Sequence, residues 1–263
     1  LISNLVNSSG VVASNTSITG TAREYCQGAE YGGDKGIITY TNGADVTNLV
    51  SNQGVVAANT TGVGSNRNNP AATKYGLDKA IFGYGYTNAN VNLTNLVSNQ
   101  GVVGSDVTGV GTARRNAAGT GFGLTGEAIF GYGYSNTYSN ILNKVSSSGV
   151  VASDTTAAGT GNVSRGAAMY GSTGQAIFAF GETSGNVTAI SNLCSNTGVV
   201  SSDVSAVGTA RMYGAMSAYG GDKAIFAFGT DSSSKLNVSN KINNVGTVAS
   251  DTSGVGTARS GLA

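Results

Sequence analysis

KAIFGYGYTNANVNLTNLVSNQGVVGSD, residues Lys79–Asp106, is the stretch that decides the fold, because parts of it recur along the whole chain. The ten residues Thr47–Val56, TNLVSNQGVV, reappear letter for letter at Thr94–Val103. Weaker copies keep the glycine of this stretch, which gives six glycines separated by 44, 47, 48, 49 and 48 residues: Gly10, Gly54, Gly101, Gly149, Gly198 and Gly246. A period of this size is typical of architectures in which each repeat is one small supersecondary unit. Residues 1–263 are therefore predicted to be a single repeat domain.

Each unit contains four short segments with the character of β-strands. The first follows an arginine, is rich in small residues and ends in an aromatic residue and glycine: Arg23–Gly32, Arg67–Gly76, Arg114–Gly123, Arg165–Gly171 and Arg211–Gly220. A turn such as GLDK leads to the second, an apolar run such as AIFGYG or AIFAFG, and glycine with aspartate between two such runs favours a hairpin. The third resembles NLVSNQG and the fourth VVASD. No segment has helical periodicity, so the chain is predicted to be all-β, with four antiparallel strands per unit.

Units of this size and strand number predict a β-propeller of four-stranded antiparallel blades. The third and fourth segments occur six times, whereas the complete hairpin of the first and second occurs five times. Six full units of about 47 residues would need roughly 20 residues more than the chain has. We therefore expect a six-bladed plan with one blade shared between the termini, its hairpin either following Ala263 or absent. Five blades with spare strands are the alternative, and a β-solenoid is the third possibility.

Composition excludes several kinds of chemistry. The chain has no histidine, which rules out Ser-His-Asp and Cys-His catalysis and imidazole metal sites. A net charge of +1 gives no electrostatic reason to expect nucleic acid, and no apolar run is long enough for membrane insertion. We expect no catalytic residue, no metal and no cofactor, and hence no enzyme; carboxylates facing each other in a central funnel would be needed for one. Cys26 and Cys194 occupy non-equivalent places in their repeats, which predicts two separate thiols.

Two polar positions keep phase with the repeat and are predicted to be structural. The first carries Asn15, Asn59, Asp106, Asp154, Asp203 and Asp251, and the second carries Arg23, Arg67, Arg114, Arg165, Arg211 and Arg259. A ring of carboxylates could suggest calcium. We favour a structural role, in which each acid closes a turn by bonding its own backbone, and each arginine holds a strand end or pairs with the acid.

The loops after the second segment vary between copies and are the candidate binding surface, since variable loops on a constant scaffold often carry function. Two of them are rich in tyrosine and asparagine: Tyr84, Tyr86, Asn88, Tyr132, Tyr134, Asn136 and Tyr138. Exposed tyrosines could stack on sugar rings and hydrogen-bond to them. The competing interpretation is that Tyr84 and Tyr132 alternate into the core and only the others are exposed.

The order of these segments resembles the kelch-type β-propeller repeat: an arginine, a small-residue strand, an apolar strand ending in glycine, then V-x-x-x-G and an outer strand. The kelch double glycine is GYG or AFG here, and valine stands where kelch repeats have tryptophan. The wording AIFGYG, TNLVSNQGVV and GVGTAR also looks like repeat proteins of bacteriophage and environmental viral genomes. That resemblance implies a non-catalytic virion structural or adhesion protein of the tail, fibre or capsid surface. Its expected location is the virion or the extracellular space, and its expected partners are other virion proteins, a further copy of the chain, or a host-surface glycan. The alternative is a secreted carbohydrate-binding propeller.

Overall fold

A computed structural model describes residues 2–22, 25–40, 46–205 and 207–262, and all regular structure in these ranges is β. The strands are β1 (Ile2–Ser3), β2 (Thr16–Ser17), β3 (Gln27–Tyr31), β4 (Lys35–Thr39), β5 (Val46–Val50), β6 (Thr60–Thr61), β7 (Ala71–Tyr75), β8 (Lys79–Gly83), β9 (Thr94–Val97), β10 (Ala118–Phe122), β11 (Glu127–Gly131), β12 (Ile141–Val145), β13 (Thr155–Thr156), β14 (Gly166–Tyr170), β15 (Gln175–Ala179), β16 (Glu182–Thr183), β17 (Asn186–Val187), β18 (Ser191–Cys194), β19 (Ala215–Tyr219), β20 (Lys223–Ala227) and β21 (Ser239–Ile242). No helix among the described residues is long and apolar enough to cross a membrane.

Five sheets repeat one antiparallel order, which confirms the prediction of an all-β chain built from repeated small sheets. They are β3-β4-β5-β6, β7-β8-β9, β10-β11-β12-β13, β14-β15-β18 and β19-β20-β21, and we number them as units one to five. The first two strands of each unit form a hairpin, and the third pairs with the second. The fourth strand is shorter than predicted: it has two residues in β6 and β13, and only isolated bridges such as Val97 to Val103 elsewhere. A side chain also pairs with this segment, as where Asn95 Nδ2 donates to the Gly104 carbonyl over 3.0 Å.

The recurring glycine lies in the turn between the third and fourth segments. In unit two, Gly101 adopts φ +79°, and a Cβ there would lie 2.9 Å from the ring of Tyr31 in unit one. Ser98 supports the same turn by accepting a hydrogen bond at Oγ from the amide of Val102. Five of the six recurring glycines meet an aromatic ring in this way: Gly10 with Tyr219, Gly101 with Tyr31, Gly149 with Tyr75, Gly198 with Phe122 and Gly246 with Tyr170. Glycine recurs because both its left-handed backbone and its missing side chain are needed there.

The core lies between successive units rather than within them. The first strands of neighbouring units pack against each other in the order β3, β7, β10, β14 and β19. In units two to five, the fourth residue of the second strand is a phenylalanine, and its ring contacts the aromatic residue that follows the second strand of the preceding unit. The pairs are Tyr40 with Phe82, Tyr84 with Phe130, Tyr132 with Phe178 and Phe180 with Phe226, at centroid distances of 5.5, 5.5, 5.3 and 4.3 Å. Each unit therefore buries its neighbour's apolar strand.

The N-terminal segment, Ile2–Ala22, contains the third and fourth segments of a further unit and lies between units five and one. On one side, the amine of Lys241 donates to the Ser9 carbonyl over 3.0 Å. On the other, Asn59 Nδ2 donates to Thr21 Oγ1 over 2.6 Å. The first and last units are thus joined through this segment.

Candidate ligand-binding face

An arginine joins each pair of neighbouring units; Arg67, Arg114, Arg165 and Arg211 are buried, and Arg259 is half-buried. The guanidinium of each lies over the aromatic residue of the preceding unit: Arg67 over Tyr40, Arg114 over Tyr84, Arg165 over Tyr132, Arg211 over Phe180 and Arg259 over Phe228, at 4.2, 3.9, 4.3, 4.4 and 4.0 Å from the ring centroids. Arg114 also donates from Nη2 to Asn143 Oδ1 over 2.7 Å and from Nε to the Tyr132 carbonyl over 2.8 Å. These arginines therefore contact strand ends, the role that the sequence analysis assigned to them. Arg23, assigned the same role, lies outside the described residues.

Burial lowers the pKa of these arginines, but they stay protonated at neutral pH. Desolvation lowers the pKa of Arg165 and of Arg211 to about 10. Both values leave the guanidinium charged at neutral pH. A charged group in this position needs the carbonyl, amide and ring partners that surround it. Arg67, Arg114, Arg165 and Arg211 therefore belong to the interior and present no charge to a ligand. Arg259 is half-buried and borders a cavity beside the N-terminal segment.

The acidic position is satisfied by neighbouring segments. Asp154 accepts hydrogen bonds from the amide and hydroxyl of Thr112, the latter at 2.6 Å, and from Asn143 Nδ2 at 2.8 Å. Partial burial alone would raise the pKa of Asp154, but the bonds from Thr112 and Asn143 and the charge of Arg114 lower it. Asp106, Asp203 and Asp251 repeat the pattern.

These contacts correct one detail of the prediction. The acid accepts from the segment that enters its own unit, not from its own turn. The arginine in turn approaches the acid of its own unit, as where Arg67 Nη1 lies 3.7 Å from Asp106, and not the residue eight positions before it. Within the described ranges, no group of three or more Cys, Asp or Glu side chains is placed to hold a metal ion.

The predicted surface tyrosines divide into two groups. Tyr84 and Tyr132 are 0% exposed, so they do not belong to a binding surface and are the aromatic partners of the buried arginines. Both have a left-handed backbone, with φ of 63° and 64°, which turns their rings towards the next unit. Burial raises the pKa of Tyr132 to about 12. Tyr86, Tyr134 and Tyr138 are half-buried, and Asn88 and Asn136 are exposed at the loop tips.

Two of the predicted tyrosines flank Arg115, which the sequence analysis did not single out, and a third contacts one of them. The Arg115 guanidinium lies 4.8 Å from the centroid of Tyr86 and 4.9 Å from that of Tyr134. Tyr134 meets Tyr138 edge to face at 5.9 Å. We call Tyr86, Arg115, Tyr134, Tyr138 and Glu182 the tyrosine cluster; it extends over the loops of units two, three and four.

Glu182 fixes the far end of the tyrosine cluster. The Tyr138 hydroxyl donates to Glu182 Oε1 and accepts from the amide of Gly185, the latter at 3.0 Å. The bond to Glu182 raises the pKa of Tyr138. A sequence signal for both missed residues existed: Arg115 is the second of a doubled arginine found in one unit only, and Glu182 occupies the position held by Tyr86 and Tyr134 in other units.

Six backbone groups, one from each unit or from the C-terminal segment, line a common cavity. They are Tyr25, Asn69, Asn116, Ser164, Tyr213 and Gly261, all with φ between 50° and 71°. The amide of each member after Tyr25 donates to the carbonyl of the one before it, over 3.1, 3.1, 3.1, 3.4 and 2.9 Å. We call this set the entrance ring; it lines a cavity of about 130 Å³. Because Asn116 directly follows Arg115, the tyrosine cluster and the entrance ring are continuous.

Together, the two sets form a face of aromatic rings, amides, hydroxyls and one guanidinium. Such groups can stack on and hydrogen-bond to a polar ligand with flat apolar faces. Comparison with models of known protein families and with curated proteins finds no match to this chain.

Proposed function

We propose that the chain is a six-bladed β-propeller with one blade shared between its termini. Three repeated features support six positions around one axis: the asparagine that receives the arginine, the entrance ring, and the recurring glycine. The asparagine set is Asn4, Asn48, Asn95, Asn143, Asn192 and Asn240. Five of them accept from an arginine, and the arginine in phase with Asn48, Arg23, lies outside the described residues. The N-terminal segment's contacts with both unit five and unit one support a closed arrangement over a linear stack. A five-bladed ring leaves the sixth asparagine and the sixth ring member without a role.

The proposed function is that of a non-catalytic structural or adhesion protein of a virus particle, which uses this propeller for host-surface attachment. The observation that carries the attachment role is the tyrosine cluster, because it is a partly exposed group of aromatic side chains in loops that differ between units. Tyrosine, asparagine and a fixed guanidinium provide stacking surfaces and hydrogen-bonding groups for a carbohydrate. The repeated carboxylates are occupied by the hydrogen bonds of the scaffold, which supports a role without catalysis.

The position of the tyrosine cluster favours a single attachment site over a multivalent lectin. Units two and three carry Tyr86 and Tyr134, but the equivalent residues in units four and five are Glu182 and Thr230. A secreted lectin with a site in every blade would need the aromatic residue in each unit. The secreted lectin therefore stays the second candidate, distinguished by whether the protein is assembled in particles.

Binding to an array of surface polysaccharides tests the attachment role. Tyr134→Ala removes the ring that contacts both Arg115 and Tyr138, and we expect at least tenfold weaker binding of any glycan that the unaltered protein retains. Thr230→Ala is the matched control, because it alters the same position in unit five and should leave binding unchanged. Equal losses in both variants, or no glycan bound by the unaltered protein, would contradict the proposal. Detection of the protein in purified virus particles tests the assembly role separately.

A further inference from the structure

A cleft separates units five and one on the inner side of the N-terminal segment. It comprises two adjoining cavities of about 450 and 530 Å³ that share Ile38, Met216 and Ser217. The N-terminal segment contributes Ile2, Asn4 and Val6 to its wall. At the other positions around the axis, the corresponding space is filled by the hairpin formed by the first two strands of a unit.

Side chains that are buried in the complete units are exposed at this cleft. Ser217 is exposed on β19, whereas the equivalent Thr73 and Thr120 are 5% and 4% exposed. Ile38 is half-buried, whereas Phe82, Phe130, Phe178 and Phe226 at the same position are all 0% exposed. The surfaces on either side of the cleft thus have the composition of an interface between units.

Phe228 borders the cleft and lacks the aromatic partner that its counterparts have in the other units. Tyr40, Tyr84, Tyr132 and Phe180 each contact a phenylalanine from the following unit as well as an arginine. Phe228 has its arginine, Arg259, but no ring partner among the described residues. An aromatic side chain placed on Phe228 would reproduce a contact that occurs four times elsewhere in the molecule.

The backbone also presents an unpaired edge to the cleft. In unit two, β9 pairs with β8 on one side and with the fourth segment on the other. In the N-terminal segment, Ile2, Ser3 and Val6 pair with Ser17, Thr16 and Val12 on the fourth-segment side, and the described chain supplies no strand on the side of the cleft. A strand added there would extend the sheet by β-augmentation.

Resting on the six-bladed arrangement proposed above, we propose that this cleft binds one β-hairpin of the chain's own repeat type, presented next to Ser260–Leu262. Its first strand carries small residues and lies between β3 and β19. Its second strand pairs with Ile2–Val6 and places a phenylalanine on Phe228. The direction of entry follows from Gly261, whose amide donates to the Tyr213 carbonyl over 2.9 Å, as the Asn116 amide donates to Asn69 just before β10. A hairpin attached at this point has a high effective concentration at the cleft.

The test appends a copy of Met216–Thr230 directly after Ala263 and measures access to the cleft. Ser217→Cys in a Cys26→Ser background provides a reporter, because Ser217 is exposed, Cys194 is buried, and Cys26 itself lines the cleft. We expect the appended hairpin to slow thiol labelling of the reporter at least tenfold and to raise the Tm by several degrees. The matched control carries Phe226→Asp within the appended copy only, which should abolish both effects.

Three outcomes would overturn the proposal. The first is unchanged labelling and Tm with the intact copy. The second is equal protection by the intact and the Phe226→Asp copies, which would show that the added chain is unspecific. The third concerns the protein without the appended hairpin. If it forms a concentration-dependent dimer and the dimer protects the reporter, the cleft is assigned to a second molecule. Glycan binding does not enter these readouts, so this test is independent of the attachment role.

Discussion

Arg259 donates a hydrogen bond to the side-chain oxygen of Asn4, so two residues from opposite ends of the sequence repeat the contact that Arg114 makes with Asn143 inside unit three. The surroundings also match: Thr257 lies against Asn15 as Thr112 lies against Asp154. The ends of the chain are therefore joined by the same network that organises every unit.

The asparagine that accepts a hydrogen bond from the arginine should contribute most to stability where it is buried. Asn143 is 0% exposed, and Asn143→Ala would remove the side-chain oxygen that accepts from Arg114 Nη2, leaving that buried donor unpaired. We expect a loss of about 2–4 kcal/mol in the free energy of unfolding. Asn4 is half-buried, and Asn4→Ala should cost about 1 kcal/mol. Urea unfolding followed by circular dichroism measures both, and equal losses would contradict the difference in burial.

The recurring glycine should be needed for two separable reasons. Gly101→Ala forces a left-handed alanine and places its Cβ 2.9 Å from the Tyr31 ring. Gly33 has a similar φ of +81° but open space around it, so Gly33→Ala isolates the backbone cost of about 1 kcal/mol. We expect Gly101→Ala to cost about 1–3 kcal/mol more, because the contact between units is also disturbed. Thermal unfolding of the two variants gives the comparison, and equal costs would remove the role assigned to Tyr31.

Much of the fold could be predicted because each repeat is marked by turn residues and short apolar runs, and these determine the structure of the residues next to them in sequence. The partners of the repeated polar residues could not. Arg67 meets Asp106, and Asp106 meets Ser65, through the packing of segments that are distant in sequence. Proximity in sequence does not identify these pairs, because an acid position and the arginine that follows it belong to successive units.

The candidate face was predicted in part for a similar reason. The GYGY sequence places two tyrosines two residues apart, and the alternation of side chains along a strand does not show which of them is buried in the core. The left-handed φ of Tyr84 and Tyr132, which decides the matter, is rare for an aromatic residue and has no sequence signal beyond the glycine that follows. Arg115 was missed because the repeat drew attention to Arg114.

The four repeated aspartates should make the protein sensitive to acid. The pKa of Asp154 is lowered in the folded protein, so folding favours its ionised form, and that stabilisation is present above the ordinary value of 3.8 and is lost as the pH falls through the folded pKa. Asp106, Asp203 and Asp251 shift in the same direction. We expect stability to fall steeply below about pH 4. Asp154→Asn should be less stable than the unaltered protein at pH 7, and the difference should shrink at pH 3.

A control for this prediction exists within the chain, since Asn59 already occupies the acidic position in unit one. Asn59→Asp adds a carboxylate at this position, and the stability of this variant relative to the unaltered protein should increase as the pH rises. Unfolding by urea at a series of pH values measures both variants. A constant difference between Asp154→Asn and the unaltered protein across this range would contradict the assigned shift.

The buried thiol of Cys194 should be inert in the folded protein. Cys26 and Cys194 are separate buried thiols, which confirms the prediction of no disulfide between them. Burial raises the pKa of Cys194 to about 12, and the reactive thiolate is correspondingly scarce. We expect negligible reaction with an aromatic disulfide reagent at pH 8 and rapid reaction after denaturation. Cys194→Ser serves to assign the signal, and fast labelling of the native protein would contradict the described packing.

The hydroxyl of Tyr138 should order the loop of unit four as well as contribute to the tyrosine cluster. It donates to Glu182 and accepts from the Gly185 amide, so it ties β16 and the following turn to unit three. Tyr138→Phe keeps the ring beside Tyr134 but removes both bonds, and we expect faster hydrogen exchange at Gly185 with little change in Tm. If attachment needs the ring alone, glycan affinity is preserved; if it needs the ordered loop, affinity falls several-fold together with the protection of Gly185.

Glu182→Gln separates the two bonds, because it retains an acceptor for Tyr138 without the charge and should lower the pKa of Tyr138 measured by ultraviolet titration. An unchanged exchange rate at Gly185 in Tyr138→Phe would show that the loop is held by β16 and β17 alone.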